Sequence, residues 1–293
     1  MQIPQSLAAG MALSSSFILS LGMTMQKRNI DWIGRRRPWN RAFYRTFLLW
    51  FIGFTLMNIA PAFNYLALWG LPTNVVGAAA GLSVAFTALL AKLMLRESLG
   101  IRRLGWTILL FGAIVSAGFL GDLGSSGNKG LSRSALFFFL GLPLGVGALL
   151  IVFRSKLKGP RHAAILGAVS GCLAGFMVFP LRALQVDAGT GILGWLVSPY
   201  LYTYLAAGFG SFILIQIAYK DGEMSAIAPA LYGMQVLWPA LGSHFVFGAK
   251  FFPAQTAAFV LVAICVAAIA GIHPAAKKPV ALLTDDRDKK RPN

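Results

Sequence analysis

The sequence predicts an all-α membrane protein whose nine transmembrane helices form two inverted repeats. Three observations indicate this fold class: an apolar composition, nine apolar stretches of spanning length, and basic residues concentrated in alternate loops. Of the 293 residues, 57% are hydrophobic and only 12% are charged, whereas about a quarter of the residues in a soluble domain are charged. Because so few charges cannot cover a water-exposed surface, we expect the chain to lie in a lipid bilayer.

Nine apolar stretches reach the length of about 20 residues that one helical crossing needs. They cover 5–25, 44–69, 73–95, 103–121, 134–153, 163–184, 196–219, 225–247 and 254–273. A secretory signal peptide would begin with a positive charge, but no Lys or Arg precedes Lys27. We therefore interpret the first stretch as a retained span.

Lysine and arginine are concentrated in the loops that follow the odd-numbered spans. With 26 Lys and Arg against nine Asp and Glu, the net charge is +17, and 22 of the 26 basic residues fall on one side of the predicted bundle. Short basic loops stay in the cytoplasm. This predicts an outside N-terminus and a cytoplasmic C-terminus, in what we expect to be a bacterial inner (plasma) membrane. A nucleic-acid partner is excluded, because such a partner needs a basic face on a soluble fold.

A weak internal repeat relates the two halves of the chain. A shift of 152 residues aligns 70–81 with 222–233 and places Asn64 on Gln216. The two copies would cross the membrane in opposite directions, and such inverted repeats typically enclose the binding site of a secondary transporter. The predicted organisation is a single transmembrane domain over 1–293, with a first repeat half at 1–121, a linking helix plus second half at 134–275, and a cytoplasmic tail at 276–293.

Two parts of the chain resemble known transporter families. The small-residue helix at 82–99, with Glu97 near its end, and the glycine-spaced stretch at 104–114 resemble the EamA repeat of the drug/metabolite transporter superfamily. The serine-rich first span, which ends in Gln26-Lys27, and the eighth span at 225–232 resemble the NIPA-type magnesium transporter branch. The resemblance covers roughly 5–275 and implies nine spans, an outside N-terminus and Mg²⁺ as the transported ion.

No carboxylate is predicted in the middle of a span. All nine Asp and Glu lie in loops, in the tail or at helix ends, and Pro61 stands where the NIPA-type pattern has a Glu. Mg²⁺ prefers several oxygen ligands, normally including carboxylates. A Mg²⁺ site here would therefore depend on amides, hydroxyls, backbone carbonyls and retained water, and the sequence leaves the metal ligands unknown.

Neutral polar and aromatic side chains inside the spans are the candidate binding residues. An amide in hydrocarbon costs free energy unless it is paired, so we expect these side chains to face the bundle interior. Hydrogen bonding between helices is the alternative role of the polar side chains. The aromatic rings can wall a cavity for a flat or cationic organic solute, and their alternative role is in the aromatic belt at the membrane interface. The predicted substrate-binding set is Asn58, Asn64, Tyr65, Ser83, Thr87, Gln216, Tyr219, Tyr232, Gln235 and Trp238.

Three functions remain open at this point. The inverted repeat and the neutral polar set favour a secondary transporter that moves a small solute by alternating access. The family resemblance favours a NIPA-like Mg²⁺ permease, against which Pro61 counts. A solid helical bundle without a cavity would favour a non-transporting membrane scaffold or lipid-handling protein. The sequence has no His-Glu-x-x-His, Walker-type or Cys-x-x-Cys motif, so we expect no enzyme activity and no cofactor, and homodimerisation stays open.

Overall fold

The computed structural model describes most of the chain and leaves the ends and several loops undescribed. The described residues are 3–33, 41–67, 69–71, 73–98, 100–121, 132–155, 159–187, 192–247 and 251–271. All regular secondary structure in these ranges is helical, so the all-α prediction is confirmed for them. The predicted tail at 276–293 lies outside the described residues.

Eleven α-helices, numbered in chain order, form the described part of the chain. Their bounds are α1 Gln5–Arg28, α2 Arg41–Ala67, α3 Thr73–Met94, α4 Ile101–Gly121, α5 Arg133–Val152, α6 Pro160–Phe176, α7 Val178–Asp187, α8 Ile192–Val197, α9 Pro199–Asp221, α10 Met224–Phe247 and α11 Pro253–Gly271. Single 3₁₀ turns follow α1 at Ile30–Trp32 and α5 at Phe153–Ser155.

Seven helical stretches within the described ranges are long and apolar enough to cross a membrane. They lie in α1, α2, α4, α5, α6 continued into α7, α9 and α11. The other two predicted spans are helical as α3 and α10, but the described apolar part of α3 is shorter, Gly81–Met94. The helix α10, which contains Pro229 and Pro239, is not among the seven. The chain is therefore an integral membrane protein, and nine crossings remain a prediction.

The helices pack in the same order in both halves of the chain. In the first half, α1 packs against α2 and α3, and α3 packs against α4. In the second half, α6 packs against α9 and α10, and α10 packs against α11. The halves meet through α4 with α11 and through α3 with α10.

Close contact between α6 and α10 depends on glycines spaced four residues apart on α6. A Cβ added to Gly171 would lie 2.2 Å from the carbonyl oxygen of Leu231, and one added to Gly175 would lie 2.6 Å from that of Gln235. Real Cβ atoms essentially never approach this closely. The backbones of the two helices can therefore touch only because these residues are glycines.

The corresponding contact between α1 and α3 uses serines instead of glycines. Ser16 donates its hydroxyl to the carbonyl of Ala79 at 2.8 Å, and Ser20 donates its hydroxyl to the carbonyl of Ser83 at 3.0 Å. The shift of 152 residues that aligns the two halves takes these carbonyls to those of Leu231 and Gln235. The same shift takes Ser16 and Ser20 to positions 168 and 172, however, and not to Gly171 and Gly175. The inverted repeat therefore remains a prediction.

Candidate functional site

A group of buried hydroxyls lies where α1, α3 and α10 meet. The hydroxyl of Tyr232 donates a hydrogen bond to the sulfur of Met23 at 3.1 Å and lies 3.5 Å from that of Thr87. Ser83 lies one turn before Thr87 and is therefore on the same face of α3. Ser83, Thr87 and Tyr232 are 1%, 0% and 6% exposed, so these hydroxyls are withdrawn from the surface of the bundle.

A chain of hydrogen bonds between side chains connects α2, α9 and α1 beside these hydroxyls. The indole nitrogen of Trp50 donates to Oε1 of Gln216 at 3.1 Å. Nε2 of Gln216 then donates to Oε1 of Gln26 at 2.5 Å. All three side chains are buried. Because Tyr219 lies one turn after Gln216 on α9, its ring is on the same side of that helix.

Several buried polar atoms in this region have no hydrogen-bond partner among the described residues. They are Nε2 of Gln26, Oγ of Ser83 and the hydroxyl oxygen of Tyr219. A buried polar group without a partner costs about 1–3 kcal/mol, so native proteins normally place water or a ligand against it. We call the combined set of Gln26, Ser83, Thr87, Gln216, Tyr219 and Tyr232 the central cluster.

Five of the ten predicted binding residues are therefore buried around α1, where Tyr232 bonds to Met23 and Gln216 bonds to Gln26 one turn later. They are Ser83, Thr87, Gln216, Tyr219 and Tyr232, contributed by α3, α9 and α10. Each is a neutral donor or acceptor, as predicted from the sequence. Their binding role stays a prediction, while their placement in the bundle interior is confirmed.

The structure does not bring the three predicted α2 residues into the central cluster. Asn58 is exposed and donates its amide to the carbonyl of Phe54 on its own helix at 2.8 Å. Tyr65 is 62% exposed, and its ring contacts Trp69. The predicted interior position was therefore wrong for both residues. Asn58 finds its partner in a carbonyl of its own helix, and Tyr65 packs against a neighbouring ring. Asn64 is partly buried, and its Oδ1 is buried without a partner among the described residues.

The last two predicted residues lie further along α10, beyond Tyr232. Gln235 is partly buried, and its backbone oxygen is the one that faces Gly175. Trp238 donates its indole N–H to the carbonyl of Phe139 on α5 at 3.1 Å. The Trp238 side chain therefore makes a contact between helices in the structure, which is neither of the two roles expected from the sequence.

Sequence reasoning missed the contribution of α1 and of Trp50. Gln26 is completely buried, but it lies near a predicted span end, where polar residues are ordinary. A signal was present in the spacing of Ser16, Ser20 and Thr24, which places three hydroxyls on one face of α1. All three are buried in the structure, so this polar face indicates that α1 borders the site.

A second polar group surrounds the turn between α9 and α10 at one end of the bundle. Lys27, near the end of α1, donates to the carbonyls of Tyr219 and Gly222. Glu97 follows α3, and its carboxylate oxygens accept hydrogen bonds from the backbone nitrogens of Met224 and Ser225 at 2.7 and 2.9 Å. A carboxylate is favourable there, because the first N–H groups of a helix lack partners within the helix.

Two ion pairs complete this second group. Arg103 lies 2.7 Å from Glu223, and Arg154 makes two hydrogen bonds to Asp221 at 2.8 and 2.6 Å. The hydrogen bond to Asp221 raises the pKa of the Arg154 guanidinium above its ordinary value, so this group keeps its charge at physiological pH. The basic-end network is our name for Lys27, Glu97, Arg103, Arg154, Asp221 and Glu223.

The basic-end network confirms one part of the predicted topology. The loops after the first, third, fifth and seventh predicted spans meet at a single end of the bundle, as the charge pattern requires. The cytoplasmic location of this end remains a prediction.

No carboxylate of the described chain belongs to the central cluster. Glu97, Asp221 and Glu223 are engaged by amides or cations of the basic-end network. No group of three or more His, Cys, Asp or Glu that could hold a metal ion occurs among the described residues. The central cluster can therefore offer hydroxyls, amides and aromatic rings to a solute, but no negative charge.

Comparison with known proteins identifies a family. The family model described as magnesium transporter NIPA matches residues 5–272, a range that contains every helix of the structure. No curated protein and no solved structure matches the chain. The NIPA family is part of the EamA-like, drug/metabolite transporter-type fold superfamily.

Proposed function

Because the chain belongs to the magnesium transporter NIPA family, we propose that it is a transporter that moves a small hydrophilic solute by alternating access to the central cluster. The observation that carries this proposal is the set of buried, unpartnered polar atoms on Gln26, Ser83 and Tyr219. A solute that supplies their missing hydrogen bonds would be stabilised there. The proposal involves no enzymatic step and no cofactor, and a single chain is sufficient for it.

The position of the central cluster between the two halves supports alternating access. Ser83 and Thr87 belong to the first half, whereas Gln216, Tyr219 and Tyr232 belong to the second. The helix contacts that recur in both halves support two structural repeats, and rocking of one repeat against the other exposes a site between them to each side in turn. With α3 and α10 also crossing, the chain would span the membrane nine times, with the N-terminus outside.

In the proposed mechanism, the basic-end network holds the two halves together at one end of the bundle and so closes the central cluster on that side. Lys27 and Glu97 lie in the first half of the chain. Lys27 binds carbonyls of the turn between α9 and α10 in the second half, and Glu97 accepts hydrogen bonds from the first amides of α10. Arg103 pairs with Glu223 between the same two halves. In the proposed cycle these contacts break when the central cluster opens toward the basic end, and they form again when it closes.

Mg²⁺ is the cargo that family membership favours. Mg²⁺ gives up its water reluctantly and usually keeps several bound water molecules in proteins. These waters would donate hydrogen bonds to the free oxygens of Ser83 and Tyr219. A site without carboxylates binds such an ion weakly, which suits a transporter because the cargo must also leave the site.

A neutral or cationic organic solute is the second candidate, and the composition of the central cluster favours it. The site has no negative charge to attract a divalent ion. Trp50, Tyr219 and Tyr232 bring aromatic rings close to the amides and hydroxyls, and such rings bind the faces of flat or cationic organic groups.

Uptake into proteoliposomes tests the proposal directly. The full chain is reconstituted around a trapped Mg²⁺-sensitive fluorophore, and Mg²⁺ entry is compared with that in protein-free vesicles. We expect Ser83→Ala and Tyr219→Phe each to lower the uptake rate about tenfold, since losing one hydrogen bond of about 1.4 kcal/mol changes a rate or a Kd tenfold. Asn58→Ala is the matched control, because this exposed amide bonds only to its own helix.

Each outcome of this experiment distinguishes between the candidates. If Mg²⁺ does not enter but an organic cation stabilises the protein in a thermal-shift screen and is taken up, the second candidate is favoured. If Asn58→Ala lowers uptake as much as Ser83→Ala, the central cluster is not the site. If neither solute enters, the transporter proposal fails and a scaffold or lipid-handling role is favoured.

A further inference from the structure

A separate basic pocket lies between the end of α1 and the start of α2. Its volume is about 870 Å³. Three arginines line it, Arg28 from the last turn of α1 and Arg41 and Arg45 from the first turns of α2. Because Arg41 and Arg45 are four residues apart, their side chains lie on one face of α2.

These three arginines carry charges that the described protein does not neutralise. None of the described residues that line the pocket is Asp or Glu, and no hydrogen bond or ion pair joins Arg28, Arg41 or Arg45 to a described residue. A guanidinium group is always charged and matches the geometry of a phosphate with two parallel hydrogen bonds. The same charges repel Mg²⁺, so the pocket is not part of a route for that cargo.

The other residues that line the pocket are polar and apolar in mixture. Asn29 and Thr46 add polar groups, whereas apolar side chains come from three helices, Met25 of α1, Leu49 of α2 and Met94 of α3. The pocket therefore brings three guanidinium groups close to apolar side chains, which is what an amphipathic anion requires.

The position of the pocket places it at the level of lipid headgroups. Both α1, which ends at Arg28, and α2, which begins at Arg41, are long and apolar enough to cross a membrane. Beyond the pocket, α2 exposes apolar side chains along its length, with Leu48 56% exposed and Phe51 47% exposed. Acyl chains can lie against this exposed face of α2.

We infer that the pocket binds the phosphate headgroup of an anionic phospholipid, whose acyl chains lie along α2. Basic pockets between transmembrane helices bind such headgroups in other membrane proteins. Arg28 follows Gln26 and Lys27 directly, so a bound lipid would hold the end of α1 at which the central cluster and the basic-end network begin. This inference does not depend on the identity of the cargo.

Lipid titration of the full chain in a neutral detergent tests the inference. Binding is followed by native mass spectrometry and by thermal shift, with phosphatidylglycerol as the anionic lipid. Phosphatidylcholine with the same acyl chains tests the need for net negative charge, and inorganic phosphate tests whether a free anion is sufficient. We expect saturable binding and stabilisation with phosphatidylglycerol only.

The variants separate the pocket from the general positive charge of the protein. The triple variant Arg28→Gln, Arg41→Gln, Arg45→Gln should bind phosphatidylglycerol about 100-fold more weakly, at about fivefold for each basic residue near an anionic headgroup. The control Lys92→Gln, Arg96→Gln, Arg102→Gln removes the same charge from exposed residues outside the pocket lining. Its affinity should stay within about threefold of wild type, a change of less than 1 kcal/mol.

A further variant keeps the test valid if the glutamine triple fails to fold. Replacing the three arginines by lysine preserves the charge but not the paired hydrogen bonds, so its affinity for phosphatidylglycerol should lie between those of the wild type and the glutamine triple. Equal losses in the pocket and control triples, or equal binding of phosphatidylcholine, would overturn the inference. Stabilisation by inorganic phosphate alone, equal to that by phosphatidylglycerol, would overturn the lipid assignment in favour of a soluble anion.

Discussion

Breaking the Arg103–Glu223 ion pair should destabilise the protein about three times more than breaking the Arg154–Asp221 pair. The nitrogen–oxygen distances are almost equal, 2.7 and 2.6 Å. The environments differ, because the Arg103 side chain is 4% exposed whereas that of Arg154 is 37% exposed. Solvent therefore screens the second pair much more strongly than the first.

The expected magnitude follows from this difference in screening. Two unit charges about 4 Å apart interact by about 4 kcal/mol in a partly buried environment and by about 1 kcal/mol in water. Glu223 is 22% exposed, so we expect a coupling energy of about 3 kcal/mol for the first pair and at most about 1 kcal/mol for the second. Without Glu223, Arg103 would keep one side-chain partner among the described residues, the hydroxyl of Ser225, 2.9 Å away.

Two double-mutant cycles measure these coupling energies. One cycle combines Arg103→Met with Glu223→Gln, and the other combines Arg154→Met with Asp221→Asn. Unfolding of each purified variant is followed in the same detergent, where about 3 kcal/mol corresponds to a shift in Tm of roughly 6–12 °C for a chain of this size. Coupling energies that agree within about 0.5 kcal/mol, the usual error of additivity, would refute the argument from burial.

Three further predictions concern single side chains. Gly171→Ala should destabilise the protein by about 1–3 kcal/mol, because the new Cβ would lie 2.2 Å from the oxygen of Leu231, whereas Gly105→Ala, with open space around it, should leave the Tm unchanged. Tyr219→Phe removes a buried hydroxyl that has no partner among the described residues. This variant should raise the free energy of unfolding by about 1 kcal/mol and should lower uptake. A loss of both stability and uptake would instead indicate a structural role for the hydroxyl. Asn58→Ala should change neither unfolding nor uptake by a measurable amount, and a loss of uptake would place α2 in the pathway.

The interior position of Ser83, Thr87 and Tyr232 was predictable from the sequence. A hydroxyl or amide in hydrocarbon needs a partner, and other helices supply many of the available partners. The same argument failed for Asn58, because a helix also offers its own carbonyls to a short polar side chain. The energetic cost of an unpaired amide does not tell whether its partner lies on another helix or is a carbonyl of the same helix. The packing of α2 against its neighbours decides between these two partners.

The role of Gln26 and Lys27 was not predictable from their types or positions. Polar residues are ordinary at span ends, where water and headgroups satisfy them. Their burial results from the turn between α9 and α10, which packs against the end of α1 although it is nearly 200 residues away in sequence. Such a contact depends on the assembly of both halves and leaves no local pattern in either segment.

The serine and glycine contacts give the two halves different mechanical properties. Sliding α3 along α1 would break the hydrogen bonds from Ser16 and Ser20, at a cost of about 1 kcal/mol each. Sliding α10 along α6 breaks no such bond at Gly171 or Gly175, because these glycines have no side chain and contact the backbone of α10 directly. By this reasoning the first half should resist shear more than the second, so the two halves would contribute unequally to any movement of the bundle.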